Sequence, residues 1–271
     1  MTVRWVFLGV LACGLGLAVS SAQGAQGNVL DCLIEPSQVV TISLPVEGLV
    51  ETVTVDRGDL VAKGNVVATL ESSVEQATAD VARIRSKMEA AIKGSQIRID
   101  FGERRFVRTD LAYREGGVPL KELDEAETSK VLAEISLLEA RENQQLAEAE
   151  LQRAEAALAL RTVRSPISGV VLQRLISPGE FSKQAPLLKL AQLDPLYVEV
   201  IVPVTTLGKI SPGMLVLVTP EPPLRAIYTA QVKVVDRVID AASGTFGVRL
   251  ELPNPKYAIP AGLKCKVRFP E

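Results

Sequence analysis

The sequence predicts an elongated, multidomain α+β chain: a small β-sandwich cut in two, a helical hairpin set into the cut, and a strand-rich segment after it. Three observations predict this class. Of sixteen prolines, only Pro119 falls between Pro45 and Pro166. A row of alanines recurs every seven residues through the second half of that interval. The segments on either side of it repeat one another at a constant offset.

Proline lacks the N–H and clashes with the preceding turn, so helix interiors exclude it. A proline-poor stretch with one proline near its centre therefore reads as two long helices joined by a turn. The turn is Gly116-Gly117-Val118-Pro119, a glycine stop followed by a proline at a permitted helix start. The hairpin spans 73–161, with arms from about Ser73 to Glu115 and from about Pro119 to Arg161. Each arm is about 60 Å long at the helical rise. In the second arm Ala126, Ala133, Ala140, Ala147 and Ala154 form one row of a seam. Leu123, Leu137, Leu151 and Leu158 form the other, interrupted by Lys130 and Gln144. Alternating spacings of three and four are the pattern of a left-handed coiled coil. The first arm offers Val74, Val81, Met88 and Ser95, with Ile84, Ala91 or Ile92, and Ile99 beside them. Gly94 and Gly102 weaken it by about 1 kcal/mol each relative to alanine, and a local bend belongs there. One amphipathic arm cannot bury its stripe alone, so the two pair as an antiparallel coiled-coil hairpin.

The flanking repeat begins at Leu44-Pro45-Val46-Glu47-Gly48-Leu49-Val50 and returns at Ser165-Pro166-Ile167-Ser168-Gly169-Val170-Val171. A shift of 121 residues carries Pro45 onto Pro166, Gly48 onto Gly169, Gly58 onto Gly179 and Val66-Val67 onto Leu187-Leu188. Thr52 to Val55 alternate as a half-buried strand does. Neither half can bury a core alone. The halves 30–72 and 162–193 should therefore close into one sandwich.

At the N-terminus, Arg4 precedes the uncharged apolar run Trp5–Val19 and the small residues Ser20 to Ala25. That pattern is a cleavable signal peptide over 1–24. The alternative is an uncleaved membrane anchor, for which the run is short of the roughly 20 residues a span needs. Bulky Leu11 two residues before Cys13 disfavours a lipidated cysteine. Export leaves Cys32 and Cys265 in an oxidising space. Either they form a disulfide joining the two ends of the mature chain, or they are separate buried thiols. The bridge is their simpler use.

Composition excludes most chemistry. Lys and Arg total 30 against 32 Asp and Glu, which is no field for nucleic acid. Histidine is absent, removing imidazole bases and histidine metal ligands. Three cysteines cannot build a four-thiolate zinc site. No catalytic, metal-binding or cofactor-binding residue is expected, and the chain reads as a non-enzyme.

Two half-motifs of a biotinyl/lipoyl-like domain split by a helical hairpin resemble the periplasmic adaptor subunits of tripartite efflux pumps, the membrane fusion protein or HlyD-like family. The resemblance covers about Leu30 to Phe269. It implies that 194–271 is a small β-barrel domain, with strands near Met214–Val218, Ile227–Asp240, Phe246–Leu252 and Lys264–Phe269. The further membrane-proximal domain of many members is expected to be reduced or absent. A true biotin or lipoyl carrier would display a lysine in a Met-Lys or Asp-Lys context. Neither dipeptide occurs here.

By resemblance, the protein links an inner-membrane transporter, RND-type in the first instance, to an outer-membrane channel for export of small molecules. It would work as a homo-oligomeric ring in the periplasm, attached to the inner membrane through its transporter. An adaptor for an ABC-type exporter and an envelope spacer without a pump are the alternatives. The family's hairpin tip meets the channel, which singles out Arg108, Gly116, Gly117, Val118, Pro119 and Leu120. Many members carry an Arg, a Leu four residues on and a Ser seven further. Here those positions hold Arg108, Ala112 and Pro119, so one of three matches.

Overall fold

The computed structural model describes residues 1–2, 29–183, 185–224 and 226–270. The expected signal peptide, with Trp5 and Cys13, lies outside the described residues. Among the described residues no helix is long and apolar enough to cross a membrane. The chain divides into two compact units, one comprising Glu35–Tyr197 with Pro253–Gly262, the other holding 29–34, Val198–Leu252 and 263–270.

In the first unit, strands β1 (Val29–Ser43, from residue 35 on), β2 (Gly48–Val53), β3 (Leu60–Val61) and β4 (Val66–Leu70) precede the helices. Strands β5 (Thr162–Arg164), β6 (Gly169–Arg174), β7 (Phe181–Ser182) and the first part of β8 (Pro186–Pro203) follow them. One layer is ordered β5-β4-β2-β7, and the strands β3, β6 and β8 pair in another. The halves thus interleave, since β2 from one pairs with β7 from the other, and β3 pairs with β6. Val50, Val67, Leu70, Val171, Leu187, Leu188 and Leu190 fill the space between them. Alternation supplies this core: along β2, Gly48 and Val50 point in while Leu49 and Glu51 point out.

The 121-residue repeat is a pseudo-twofold in the hydrogen bonds themselves. The offset maps β2 onto β6 and β3 onto β7. Leu49 pairs with Phe181 as Val170 pairs with Leu60, and Gly48 with Ser182 as Gly169 with Val61. Gly58 and Gly179 both turn the chain at positive φ, 94° and 87°, a region open to glycine without penalty.

Between the halves lie α1 (Ser73–Ser86), α2 (Ala90–Arg114) and α3 (Leu120–Ala159). The helix α3 runs back antiparallel to the other two. Arg83 bonds Glu155 at 3.0 Å, Ser95 Oγ donates to the Ser136 carbonyl at 3.3 Å, and Lys130 Nζ sits 5.6 Å from the Phe106 ring centroid. The alanine row and its companions on α3, Leu123 through Leu158, are all buried or half-buried.

The first arm differs from expectation. It is broken at Lys87–Glu89, where the amides of Lys87 and Met88 bond three residues back in turns, and not at Gly94 or Gly102. Its seam also differs. In α1 the buried residues are Ala79, Ala82 and Ser86, and in α2 they are Ser95 and Gly102, whereas Val74, Val81, Ile84 and Met88 are exposed. Carrying the α2 positions back in sevens from Ser95 yields Met88 and Val81, one residue away from the buried Ala82. The break absorbs a one-residue slip in phase, which lets small side chains face Leu151, Ala154 and Leu158 of α3. Gly102 is a point of close approach: a Cβ there would lie 3.3 Å from the Lys130 Cα.

The second unit is a six-stranded barrel ordered β1-β12-β9-β10-β11-β8, closed by pairing of β1 with β8. Its later strands are β9 (Leu215–Pro220), β10 (Tyr228–Val235), β11 (Thr245–Leu252) and β12 (Lys264–Arg268). The strand expected over Ile227–Asp240 spans Tyr228–Val235, and further on Asp240 Oδ1 accepts the Ala242 amide at 2.9 Å in a turn. Val198, Val200, Val202, Val216, Val218, Val232, Val248 and Leu250 alternate inward. Cys32 and Cys265 are direct partners across β1 and β12 and are disulfide-bonded.

The unit boundaries depart from the sequence boundaries at three places, the first being 194–197, which fall with the sandwich. Residues 30–34 belong with the barrel, through the β1–β12 register. Pro253–Gly262 belongs with the sandwich. There the Asn254 amide group, 3% exposed, donates to the Leu193 and Ile259 carbonyls and accepts the Ile259 amide.

Candidate partner-binding surface at the hairpin tip

The tip is built by a glycine stop. At the end of α2 the Glu115 amide reaches the Leu111 carbonyl, Gly116 takes φ +74°, and the Gly117 amide donates to the Ala112 carbonyl at 2.8 Å. These bonds satisfy carbonyls that a helix end leaves open. Pro119 caps the start of α3 in an extended conformation, so the chain reverses within four residues, 116–119.

This turn brings Gly116, Gly117, Val118, Pro119 and Leu120 together, as consecutive residues must be, and leaves them unequal. Leu120 is 53% exposed and Val118 half-buried. Leu111, 56% exposed, and Tyr113 present further apolar surface from the last turns of α2. Sequence reasoning left Tyr113 unremarked, although an aromatic one turn before a double glycine is a usable signal. Arg108 lies further down α2, exposed, and joins the tip only along the helix. Two charged pairs near the tip lie within their helices: Arg114 with Asp110 at 2.8 Å, Lys121 with Glu125 at 3.9 Å. Such exposed pairs stabilise by a few tenths of a kcal/mol. Apolar groups at the end of an arm suit burial against a partner.

Cys32 and Cys265 lie in the barrel and take no part in the tip. Among the described residues no group of three or more Cys, Asp or Glu comes together as metal ligands would. Lys63, the lysine nearest a carrier position, is a turn residue whose amide donates to Ser168 Oγ at 2.9 Å.

A split sandwich with exact hydrogen-bond duplication and an inserted hairpin is a specific signature, and the comparisons agree with it. A family profile described as a CzcB-like, barrel-sandwich hybrid domain matches residues 38–191, over half of the chain. The chain belongs to this family. It is thereby a membrane fusion protein of the periplasmic adaptor kind. Among solved structures, MacA from Actinobacillus actinomycetemcomitans is similar at TM-score 0.73 and 21% identity, over 90% of this chain and 78% of that one. The membrane fusion protein Spr0693 from Streptococcus pneumoniae R6 is similar at TM-score 0.62 and 16% identity, over 90% and 99%. A putative efflux transporter from Bacteroides eggerthii is similar at TM-score 0.57 and 14% identity, over 89% and 68%. At these identities the likeness is one of fold. No curated protein matches the chain by sequence.

Proposed function

We propose that this membrane fusion protein links an inner-membrane efflux transporter of the RND type to an outer-membrane channel, exporting small molecules without performing chemistry itself. The observation that carries the reading is an α-helical hairpin rooted in a split sandwich and ending in exposed Leu111, Tyr113 and Leu120. The 40 residues of α3 span about 60 Å, a length suited to bridging a gap. In this reading the heptad seam is a two-helix coiled coil, and a signal peptide delivers the chain to the periplasm. The barrel meets the transporter, and several copies pack as a ring whose tips hold the channel. Coupling is then a matter of binding and shape, driven by the transporter.

Photocrosslinking side chains placed at Leu120 on the tip and at Val238 on the barrel test this in intact cells. The expected result is an outer-membrane channel captured from Leu120 and an inner-membrane transporter from Val238. An ABC exporter at Val238 would replace the RND assignment. Absence of both captures, at normal protein levels, would overturn the adaptor reading.

A further inference from the structure

Where the hairpin leaves the sandwich, one side chain ties three segments together. Arg161 follows the end of α3, and its carbonyl accepts the Leu70 amide at 2.8 Å, which fixes its main chain on β4. Its guanidinium then forks. One nitrogen donates to the Glu47 carbonyl at the edge of β2, at 3.1 Å, and the other to the Glu75 carboxylate in the first turn of α1, at 2.5 Å. Both charged side chains are only 21% exposed. The planar fork of arginine suits two acceptors held at a fixed angle, as a lysine point charge does not. A second side-chain hydrogen bond between a hairpin helix and the sandwich, from the Ser73 amide to Glu71 at 2.9 Å, spans only two residues of the chain link itself.

Gly48 makes room for this fork. A Cβ at Gly48 would lie 2.6 Å from the Arg161 nitrogen. Its pseudo-twofold mate serves another purpose, since a Cβ at Gly169 would overlap the Ala191 main chain. The same glycine is used in one half for strand packing and in the other as the berth of a guanidinium. Gly48 does not sit at positive φ, so backbone conformation does not demand glycine there.

We propose that Arg161 is a positioning residue: a clamp between the Glu47 carbonyl and Glu75 that sets the direction in which the hairpin leaves the sandwich. Apart from it, the helices are joined to the strands by two short chain links, of which the first is held by the Glu71 amide on the Leu49 carbonyl and by the Glu71–Ser73 bond. Leverage makes the angle matter. A swing of about 10° at the base displaces a point about 30 Å along the arm by about 5 Å. The proposal concerns the geometry of this chain alone and holds whatever the tip binds.

Electron–electron distance measurements on the full-length protein test it, with nitroxides carried by unnatural ketone side chains so that the cysteines stay untouched. One pair joins Lys63 on the sandwich to Glu139 on α3. A control pair, Lys63 and Lys189, lies within the sandwich. In Glu75→Ala, Gly48→Ala and Arg161→Ala, the arm distance distribution should at least double in width while the control distribution stays as it was. Glu75→Ala leaves the Arg161–Glu47 bond in place, so it separates release of the arm from damage to the sandwich. An arm distribution of unchanged width in Glu75→Ala would overturn the proposal. So would equal broadening of the control pair, which would make Arg161 a brace of the sandwich and not of the arm.

Discussion

The amide of Gly58 donates to the carbonyl of Val171 at 2.9 Å, and 121 residues on, Gly179 returns the bond to Val50 at 2.8 Å. Val50 and Val171 in turn donate to Glu180 and Asp59, so each half closes the turn of the other. The sandwich is therefore mutual: the turn glycine of each half donates to the other half, while the Asp59 and Glu180 amides bond within their own turns. Gly169, at the start of β6, lies tightly against β8 of its own half. Replacing it by alanine drives a methyl group into the Ala191 carbonyl, a main-chain atom that cannot step aside. The expected loss is about 3 kcal/mol or more, seen as a lower urea midpoint. A loss under about 1 kcal/mol would show that β8 shifts freely.

The two glycines of α2 should respond in opposite directions. A Cβ at Gly94 meets nothing within 4 Å, whereas one at Gly102 presses on the Lys130 backbone. Gly94→Ala should stabilise by about 0.5–1 kcal/mol through helix propensity and a less flexible unfolded chain. Gly102→Ala should destabilise by about 1 kcal/mol, because the helices must part to admit the methyl group. Denaturation followed by helical circular dichroism measures both. Gains of equal size would mean that the arms do not touch at Gly102.

Much of this was legible in the residues, and unevenly so. The seam of α3 followed from strict heptads, because one unbroken helix keeps one phase. The same logic failed on α1, where the turn at Lys87–Glu89 resets the phase by one residue without a glycine or proline to announce it. The sandwich was legible through its repeat, since turns and core positions must recur if the halves exchange strands. Strand β1 was not, because Pro36 and the polar residues around it blur the alternation. Arg161 and Asn254 were invisible as structural residues. Arg161 reaches Glu75 and Asn254 reaches Leu193, far off in sequence, and although Asn254 also bonds Ile259 nearby, no local pattern reports the distant bonds. At the tip, residue identities pointed to the turn, while the division between exposed Leu120 and half-buried Val118 needed the fold.

Acid should loosen the start of α1 in a way traceable to one carboxylate. The Ser73 hydroxyl and then the Ser73 amide, at 2.9 Å, bond to Glu71 and hold its acid constant below the ordinary 4.5, against the opposing effect of burial and with a small contribution from Arg161. A carboxylate depressed in the folded state stabilises fully above its unfolded value and loses that contribution as pH falls through the folded value. Exchange of the Ser73 amide with solvent should therefore accelerate on acidification below pH 4.5, once corrected for intrinsic rates. In Glu71→Gln that pH dependence should be absent. The same acid response in both proteins would place its cause elsewhere.

The bond between Cys32 and Cys265 closes a separation of 233 residues and joins the first described strand to the last, inside the barrel. Its removal by Cys32→Ser with Cys265→Ser should cost about 2–5 kcal/mol, chiefly by freeing the unfolded chain. Reductant should lower the melting temperature of the parent protein toward that of the double variant and leave the variant unmoved. Two titratable thiols in the unreduced, denatured mature protein would rule the bond out.

At the tip, Leu120 stands clear of the turn and Val118 leans into it, so aspartate at the two positions should act differently on the fold and alike on the partner. Leu120→Asp replaces an exposed side chain near a helix N-terminus, where a carboxylate is favourable by about 0.3–1 kcal/mol. Stability should stay level or rise slightly. Val118→Asp gives up part of a buried contact and should lose about 1 kcal/mol. If the tip seats on a channel through apolar contact, either charge must be desolvated on docking, at a cost well above the loss of the contact itself. Cells carrying either variant at normal levels should then lose efflux, measured as accumulation of an exported dye. Wild-type efflux with Leu120→Asp would exclude this face from the docking contact, and it would do so without ambiguity because that variant is expected to fold as well as the parent.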